Sequence, residues 1–325
     1  MIRNKDIGID LGTANILIYV KGEGIVLSEP SVVAVEQESG KVLAIGKEAH
    51  EMIGRTPGSV IAIRPLKDGV IADFDKTEAM LDYFIKKIKG KSFLSKPRIL
   101  ICCPSNITQV EKNAIREVAE RTGAKRVYVE EEPKVAAVGA GLEINMPSGN
   151  MVIDIGGGTT DIAVLSLNGI VYSESIKIAG NTFDMDIVNY IKDKYKLLIG
   201  EITAEQIKIK IGTLNNNKEK SMKIRGRDLV TGLPKTIEIK SSEVKEAIKH
   251  SVDTIIYSVK KVLEKIEPEI SADIIDKGVV LTGGGALLDG LDKKIESEIK
   301  VPVKVAESPL TCVACGTGII LENIS

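Results

Sequence analysis

Histidine is almost missing from this 325-residue sequence: His50 and His250 are the only two, which argues against histidine-based catalysis. Cysteine is scarce as well. The four cysteines fall as two close pairs, Cys102/Cys103 and Cys312/Cys315, and no basic-then-apolar leader precedes the strand-like run Ile7 to Leu11, so a reducing cytoplasm is expected. Cys312-Val-Ala-Cys315 has redox or zinc spacing, but without a second CxxC, and with so few histidines, small packing residues are the better reading. No apolar run approaches the roughly 18 residues of a membrane span. Neither charge is in excess: 44 basic and 45 acidic side chains give a formal net charge of −1, leaving no whole-surface field to gather nucleic acid. Three familiar motifs are missing too. Gly90-Lys91-Ser92 ends like a P-loop, but position 85 is Ile85 and a helix precedes it; no G-x-G-x-x-G follows a strand and no G-x-S-x-G occurs.

What is present is the composition of a soluble globular protein, 43% hydrophobic and 27% charged, with length for roughly two domains. Strand-like runs alternate with amphipathic helices, which predicts an α/β architecture. Met80, Leu81, Phe84, Ile85 and Ile88 recur at helical spacing, and the run Ile99 to Cys103 reads as a strand buried on both faces. Thr108 and Glu111 form a capping box ahead of a helix with Val110, Ala114, Ile115 and Val118 on its buried face, ending near Arg121. Pro133 opens a small-residue helix from Val135 to Ala140. A long helix from Ser242 to about Ile266 buries Val244, Ile248, Val252, Ile255, Val259 and Val262. The β-β-β opening recurs from Met151, with Asn168-Gly169 as a hairpin turn. Asp10-Leu-Gly-Thr and Asp154-Ile-Gly-Gly-Gly-Thr then become equivalent elements of an internal duplication. Polar insertions at 31–74 and 180–238 are each of a size to form a small subdomain.

Three glycine-rich turns follow apolar strands: Gly12-Thr13-Ala14-Asn15, Gly156-Gly157-Gly158-Thr159-Thr160 and Gly283-Gly284-Gly285-Ala286. Glycine lets backbone amides converge on an anion, and threonine hydroxyls add donors. Asp10 and Asp154 end their strands just before two of these turns, where a carboxylate could hold water on a magnesium ion bridging phosphates. Each turn alone is equally well explained as a tight turn capped by aspartate. Their joint occurrence favours a phosphate clamp.

At this point a resemblance becomes specific. Asp10 to Asn15, Asp154 to Asp161 and Gly283 to Leu287 resemble the two phosphate motifs and the adenosine motif of the actin, sugar-kinase and heat-shock-chaperone ATPase superfamily. Within it, Ile7 to Asn15, Leu27-Ser-Glu-Pro-Ser-Val-Val33, Arg64-Pro-Leu-Lys-Asp-Gly-Val-Ile-Ala-Asp-Phe74 and Ser148 to Asp154 resemble the bacterial actins of the MreB family, and Glu130 to Ala137 resembles its Mbl branch, with Lys134 where many relatives are apolar. The resemblance spans essentially the whole chain. It implies an actin-like α/β fold of two duplicated lobes around a nucleotide cleft, with subdomain IA at 1–30, 75–140 and 308–325, IB at 31–74, IIA at 141–179 and 239–307, and IIB at 180–238.

The same resemblance implies ATP and Mg2+ as cofactors, and an ATPase in which Glu132 orients the attacking water while Thr159 and Thr160 sit beside the phosphates. Without it, Glu132 is an ordinary helix-start carboxylate. By resemblance Glu205, Gln206, Ile207 and Lys208, in a capped helix starting at Thr203, contact adenosine together with Gly284, Gly285, Ala286 and Leu287. The expected role is rod-shape maintenance by filaments, as paired protofilaments, that organise cell-wall elongation proteins at the anionic inner leaflet. Rival readings are a sugar-type kinase of the same superfamily and a plasmid-partitioning filament, although no basic motif marks a nucleic-acid partner. Phe93-Leu94 lies among Lys86, Lys87, Lys89, Lys91, Lys96 and Arg98, an apolar tip within positive charge that suits insertion into an anionic leaflet. Folding back onto the sheet is the bland alternative. The resemblance favours the membrane, because MreB proteins commonly attach through such a loop or an amphipathic N-terminal helix, and the few residues before the first strand leave no room for that helix.

Overall fold

The computed structural model describes residues 6–89, 96–105, 107–215 and 219–324. Lobe I opens as an antiparallel meander of β1 (Ile7–Leu11), β2 (Asn15–Val20) and β3 (Gly24–Pro30). An insert follows: β4 (Val33–Glu36), β5 (Val42–Ile45), α1 (Lys47–Glu51), β6 (Val60–Ile63) and the small hairpin β7 (Leu66–Lys67) and β8 (Val70–Ile71). Through α2 (Phe74–Lys89) the chain reaches β9 (Arg98–Cys103), α3 (Gln109–Arg121) and β10 (Arg126–Glu131). Strands β9 and β10 join in parallel on the free side of β1, giving the order β10-β9-β1-β2-β3. Helix α4 (Glu132–Gly139) leads to the second lobe.

Lobe II repeats the plan with β11 (Asn150–Ile155), β12 (Thr160–Ser166) and β13 (Gly169–Ile176). Its insert holds α5 (Gly180–Tyr195), β14 (Leu197–Leu198), α6 (Glu201–Ile211), β15 (Ser221–Asp228) and β16 (Pro234–Lys240). After α7 (Ser241–Leu263) and α8 (Pro268–Lys277) come β17 (Val279–Thr282), α9 (Leu291–Ile299) and β18 (Val303–Val305). The second sheet runs β13-β12-β11-β17-β18, with β11 antiparallel to β12 and parallel to β17. Each strand therefore has a counterpart of the same sense in lobe I. The duplication expected from Asp10 and Asp154 is a duplication of topology.

The last helix, α10 (Cys312–Asn323), leaves lobe II and packs on α4 and β1 of lobe I. Glycine makes this crossing possible. A Cβ on Gly139 would lie 1.7 Å from the Cys312 carbonyl oxygen, and one on Gly316 would lie 2.0 Å from that of Val135. Residues of both lobes, including Leu100, Val135, Val152, Ala163, Val313 and Leu321, share one apolar cluster here. Cys312 is buried within this region and Cys315 is partly so, both as free thiols.

Helical periodicity located the buried faces well. Met80, Leu81, Phe84 and Ile85 of α2 are buried, as are the six apolar residues anticipated on α7. The capping box forms, with the Glu111 amide donating to Thr108 Oγ1 at 3.2 Å and the Thr108 amide donating to Glu111 at 2.7 Å. Three details differ. Val110 is 78% exposed, because the buried stripe of α3 runs through Ile115, Val118 and Ala119 and turns away from its first turn. The β12–β13 turn is centred on Leu167 (φ 51°) and Asn168 (φ 62°), with Gly169 already paired to Ser166 in the ladder. Helix α6 begins at Glu201, so Thr203 lies inside it and does not cap it.

Candidate functional site

The first two glycine turns face each other. They join equivalent strand pairs of the two sheets, β1 to β2 and β11 to β12, and approach so closely that a Cβ on Gly157 would lie 2.5 Å from that of Ala14. A Cβ on Gly158 would likewise lie 2.7 Å from Thr13 Oγ1. Glycine is required here by proximity of the two lobes. Ser31 braces the first turn, its hydroxyl donating to the Gly12 carbonyl at 2.7 Å and its amide to that of Ala14 at 2.9 Å. The start of α5 braces the second, with the Gly180 and Asn181 amides donating to the Gly156 and Gly157 carbonyls at 3.1 and 2.8 Å. Among the described residues nothing accepts a hydrogen bond from the amides of Thr13, Ala14, Gly157 or Gly158. Such free, convergent amides are what an anionic ligand needs.

Acidic groups sit beside this cradle. Asp10 and Asp154 occupy matching positions, one residue from the ends of β1 and β11, and both are buried. Burial pushes the Asp10 carboxyl up to about 8, and the Asp154 charge adds to it. Burial raises Asp154 to about 7 against the lowering effect of Thr282, whose hydroxyl donates to its Oδ2 at 2.6 Å. Asp161, opposite Asp154 in the ladder, accepts from the Ser105 amide at 3.4 Å and the Ser105 hydroxyl at 3.2 Å, a link between the lobes. Burial raises its carboxyl as well. Glu132, at the start of α4, is raised well above its ordinary value by desolvation and then by the charges of Asp154, Asp161 and Asp10.

This donor set suits a hydrated divalent cation. Four carboxylates held above their ordinary range favour a cation nearby, yet among the described residues no three acidic, histidine or cysteine side chains are placed to enclose an ion directly. Asp10 and Asp154 can therefore serve an ion through its water shell. In the sequence Asp161 appeared only as the end of the second phosphate motif; pairing with Asp154 across the β11–β12 ladder is what brings it to the site.

The other candidates divide. Thr159 is buried beside the second turn and its hydroxyl bonds Asp161. Thr160, at the start of β12, is fully buried and donates to the Ile178 carbonyl at 2.6 Å. Gly12, Thr13, Ala14 and Asn15 frame the cradle, Asn15 on its exposed rim. A cavity of about 330 Å³ continues from Thr13, Ala14 and Asn15 between the two inserts and reaches Glu205. Neighbouring Ile207 has no exposed surface and packs in the lobe II core, and Gln206 is exposed. Lys208 stands behind the cavity wall, bonding Asp184 at 2.8 Å and the Gly180 carbonyl at 2.9 Å. In the third turn Gly283 (φ 79°) and Gly285 pack on Ile155 and Ala286 is buried in the lobe II core. Gly284 lies open beside Leu310, an exposed leucine that sequence reasoning did not single out, and Leu287 is exposed as well. Lys134 turns to Glu130 at 3.1 Å. Phe93 and Leu94 lie outside the described residues.

Two duplicated lobes with paired glycine turns and acidic strand ends across one cleft define an actin-like protein. The structure of MreB5 of Spiroplasma citri bound to AMPPNP matches it with a TM-score of 0.95 and 42% identity, covering 99% of this chain and 97% of that one. The chain belongs to the MreB/Mbl protein family, whose model matches residues 4–325. It is 67% identical over 321 residues to the cell shape-determining protein Mbl of Bacillus cereus, covering 98% of this chain and 96% of that protein. It is also 52% identical over 327 residues to the cell shape-determining protein MreB of Escherichia coli, with 99% and 94% covered.

Proposed function

We propose that this chain is an ATP-dependent, actin-like cytoskeletal protein that determines cell shape by forming membrane-associated filaments. The observation that carries the reading is the cradle: amides of Thr13, Ala14, Gly157 and Gly158, unbonded among the described residues, come together from both lobes beside buried Asp10 and Asp154. The amides hold the phosphate chain and Thr13 and Thr159 shape its sides. Asp10 and Asp154 would hold the water shell of a Mg2+ ion, which would supply positive charge to offset that of the phosphates. Glu132 accepts a hydrogen bond from the attacking water and orients it. Its carboxyl accepts most strongly when ionised, and the positive charge of a divalent cation in the cleft would offset the acidic neighbours that raise it. Glu205, Lys208, Gly284 and Leu287 flank the nucleoside end.

The inserts at 31–74 and 180–238 act as subdomains beside the larger pairs 1–30, 75–140 and 308–325, and 141–179 and 239–307. Subunits join head to tail, as paired protofilaments, along the anionic inner leaflet, where Phe93 and Leu94 insert and the filament organises wall-elongation membrane proteins. Sedimentation of purified protein with and without Mg·ATP tests the reading. ATP-dependent pelleting supports it, and a protein that neither binds ATP nor pellets overturns it.

A further inference from the structure

The segment Arg64 to Gly69 touches both lobes, and nothing in the proposed chemistry uses it. Asp68 (φ 51°) and Gly69 (φ 76°) form the tight turn of the β7–β8 hairpin, a left-handed pair suited to a two-residue hairpin. The Gly69 amide donates to Thr13 Oγ1 at 2.9 Å, and the Gly69 position abuts Pro104 and the Thr159 methyl group. The hairpin thus rests on both phosphate turns. Two loose ion pairs reach from it to lobe II: Asp68 to Lys177 at 3.9 Å and Arg64 to Glu201 at 3.7 Å.

Across the same cavity lies an unusual acceptor. Asp184 is only 7% exposed, its Oδ2 is bonded by Lys208, and its Oδ1 has no partner among the described residues. A buried carboxylate oxygen without a donor is costly, and such atoms call for an explanation. Arg64 and Asp184 both line the cavity. Glu201, the present partner of Arg64, has a side chain 56% exposed, so that pair is weakly held.

We propose that the hairpin is a strap over the nucleotide, and that Arg64 transfers from Glu201 to Asp184 Oδ1 when the cleft closes. This rests on the nucleotide-cleft reading and adds to it a device that retains the ligand. Asp184 acts here as a positioning residue. Its helix starts at the amides that brace the second phosphate turn, so the closed strap is tied to the cradle through α5. Glu201 competes for Arg64 and holds the strap open. The charge of Arg64 already favours the ionised form of Asp184, although burial dominates and raises that carboxyl to about 6.

The test is stopped-flow release of a fluorescent ATP analogue from the full chain with Mg2+. Arg64→Gln and Asp184→Asn should each speed release about tenfold, as loss of one partner of a buried charged pair does. The double variant should release no faster than the faster single variant. Glu201→Gln should act in the opposite sense and slow release about twofold, since it removes only an exposed competitor. If Glu201→Gln speeds release as Arg64→Gln does, Arg64–Glu201 is itself the fastener and the transfer is wrong. Multiplying effects in the double variant would overturn it too. Should Asp184→Asn fail to fold, the opposite signs at positions 64 and 201 still decide. A parent chain that takes up no nucleotide overturns the cleft reading as well, whereas uptake with unchanged release in all variants overturns the strap alone.

Discussion

Asp10 shows how a single side chain reports the state of the cleft. Its carboxyl is raised from the ordinary 3.8 to about 8 by burial and by Asp154. A folded-state value above the unfolded one means stability is fully present below the ordinary value and is lost as pH rises through about 8. The nucleotide-free protein should therefore lose stability steadily from pH 5 to 8.5. Asp10→Asn should flatten that slope, as read from urea midpoints at several pH values, while weakening Mg-dependent nucleotide binding in calorimetry. Gly157→Val attacks the cradle differently, by putting side-chain atoms where Ala14 already lies 2.5 Å from a modest Cβ. ATP affinity should fall at least about tenfold, and undiminished affinity in a folded variant would remove the turn from the site. Glu132→Ala should spare binding and slow single-turnover hydrolysis by about tenfold to thousandfold, because orienting water matters in the transition state.

At the scale of elements, the α4–α10 crossing is the contact least tolerant of change. Gly316→Ala places a methyl group 2.0 Å from the Val135 carbonyl, and backbone cannot yield as a side-chain tip can. Overpacking of this kind costs about 1 to 3 kcal/mol, and a denaturant midpoint unchanged from the parent would contradict the close packing. No local signal in the sequence marks this contact, since Gly139 and Gly316 are far apart in the chain. Elements governed by short-range periodicity were legible: α2, α7, the buried β9, the Thr108 cap and the turns after Asp10 and Asp154. Leu167 was not, because a leucine with positive φ contradicts propensity. Asp161 and Arg64 were not legible as site residues for another reason. Each matters through a residue of the opposite lobe, Ser105 or Glu201, and spacing along one strand carries no information about that.

For the molecule as a whole, the proposed function ties membrane attachment to assembly. A large apolar side chain entering lipid contributes about 1.5 to 3 kcal/mol, too little for one subunit, but the proposed filament would bring many copies of Phe93 and Leu94 to one membrane. Phe93→Ser with Leu94→Ser should abolish co-flotation with anionic liposomes while preserving ATP-dependent pelleting. Flotation equal to the parent would leave the loop without a membrane role. The return of α10 to lobe I has a different consequence, for synthesis. A Cβ on Gly8 of β1 would meet Thr317 of α10 at 1.8 Å, so the earliest strand and a late helix are fitted to one another. A domain completed by such distant partners folds slowly and cannot finish while the intervening chain is still being made. On the ribosome the β1 face of the first lobe therefore has no α10 to pack against until residues 312–323 have been made, so this packing is necessarily among the last contacts to form.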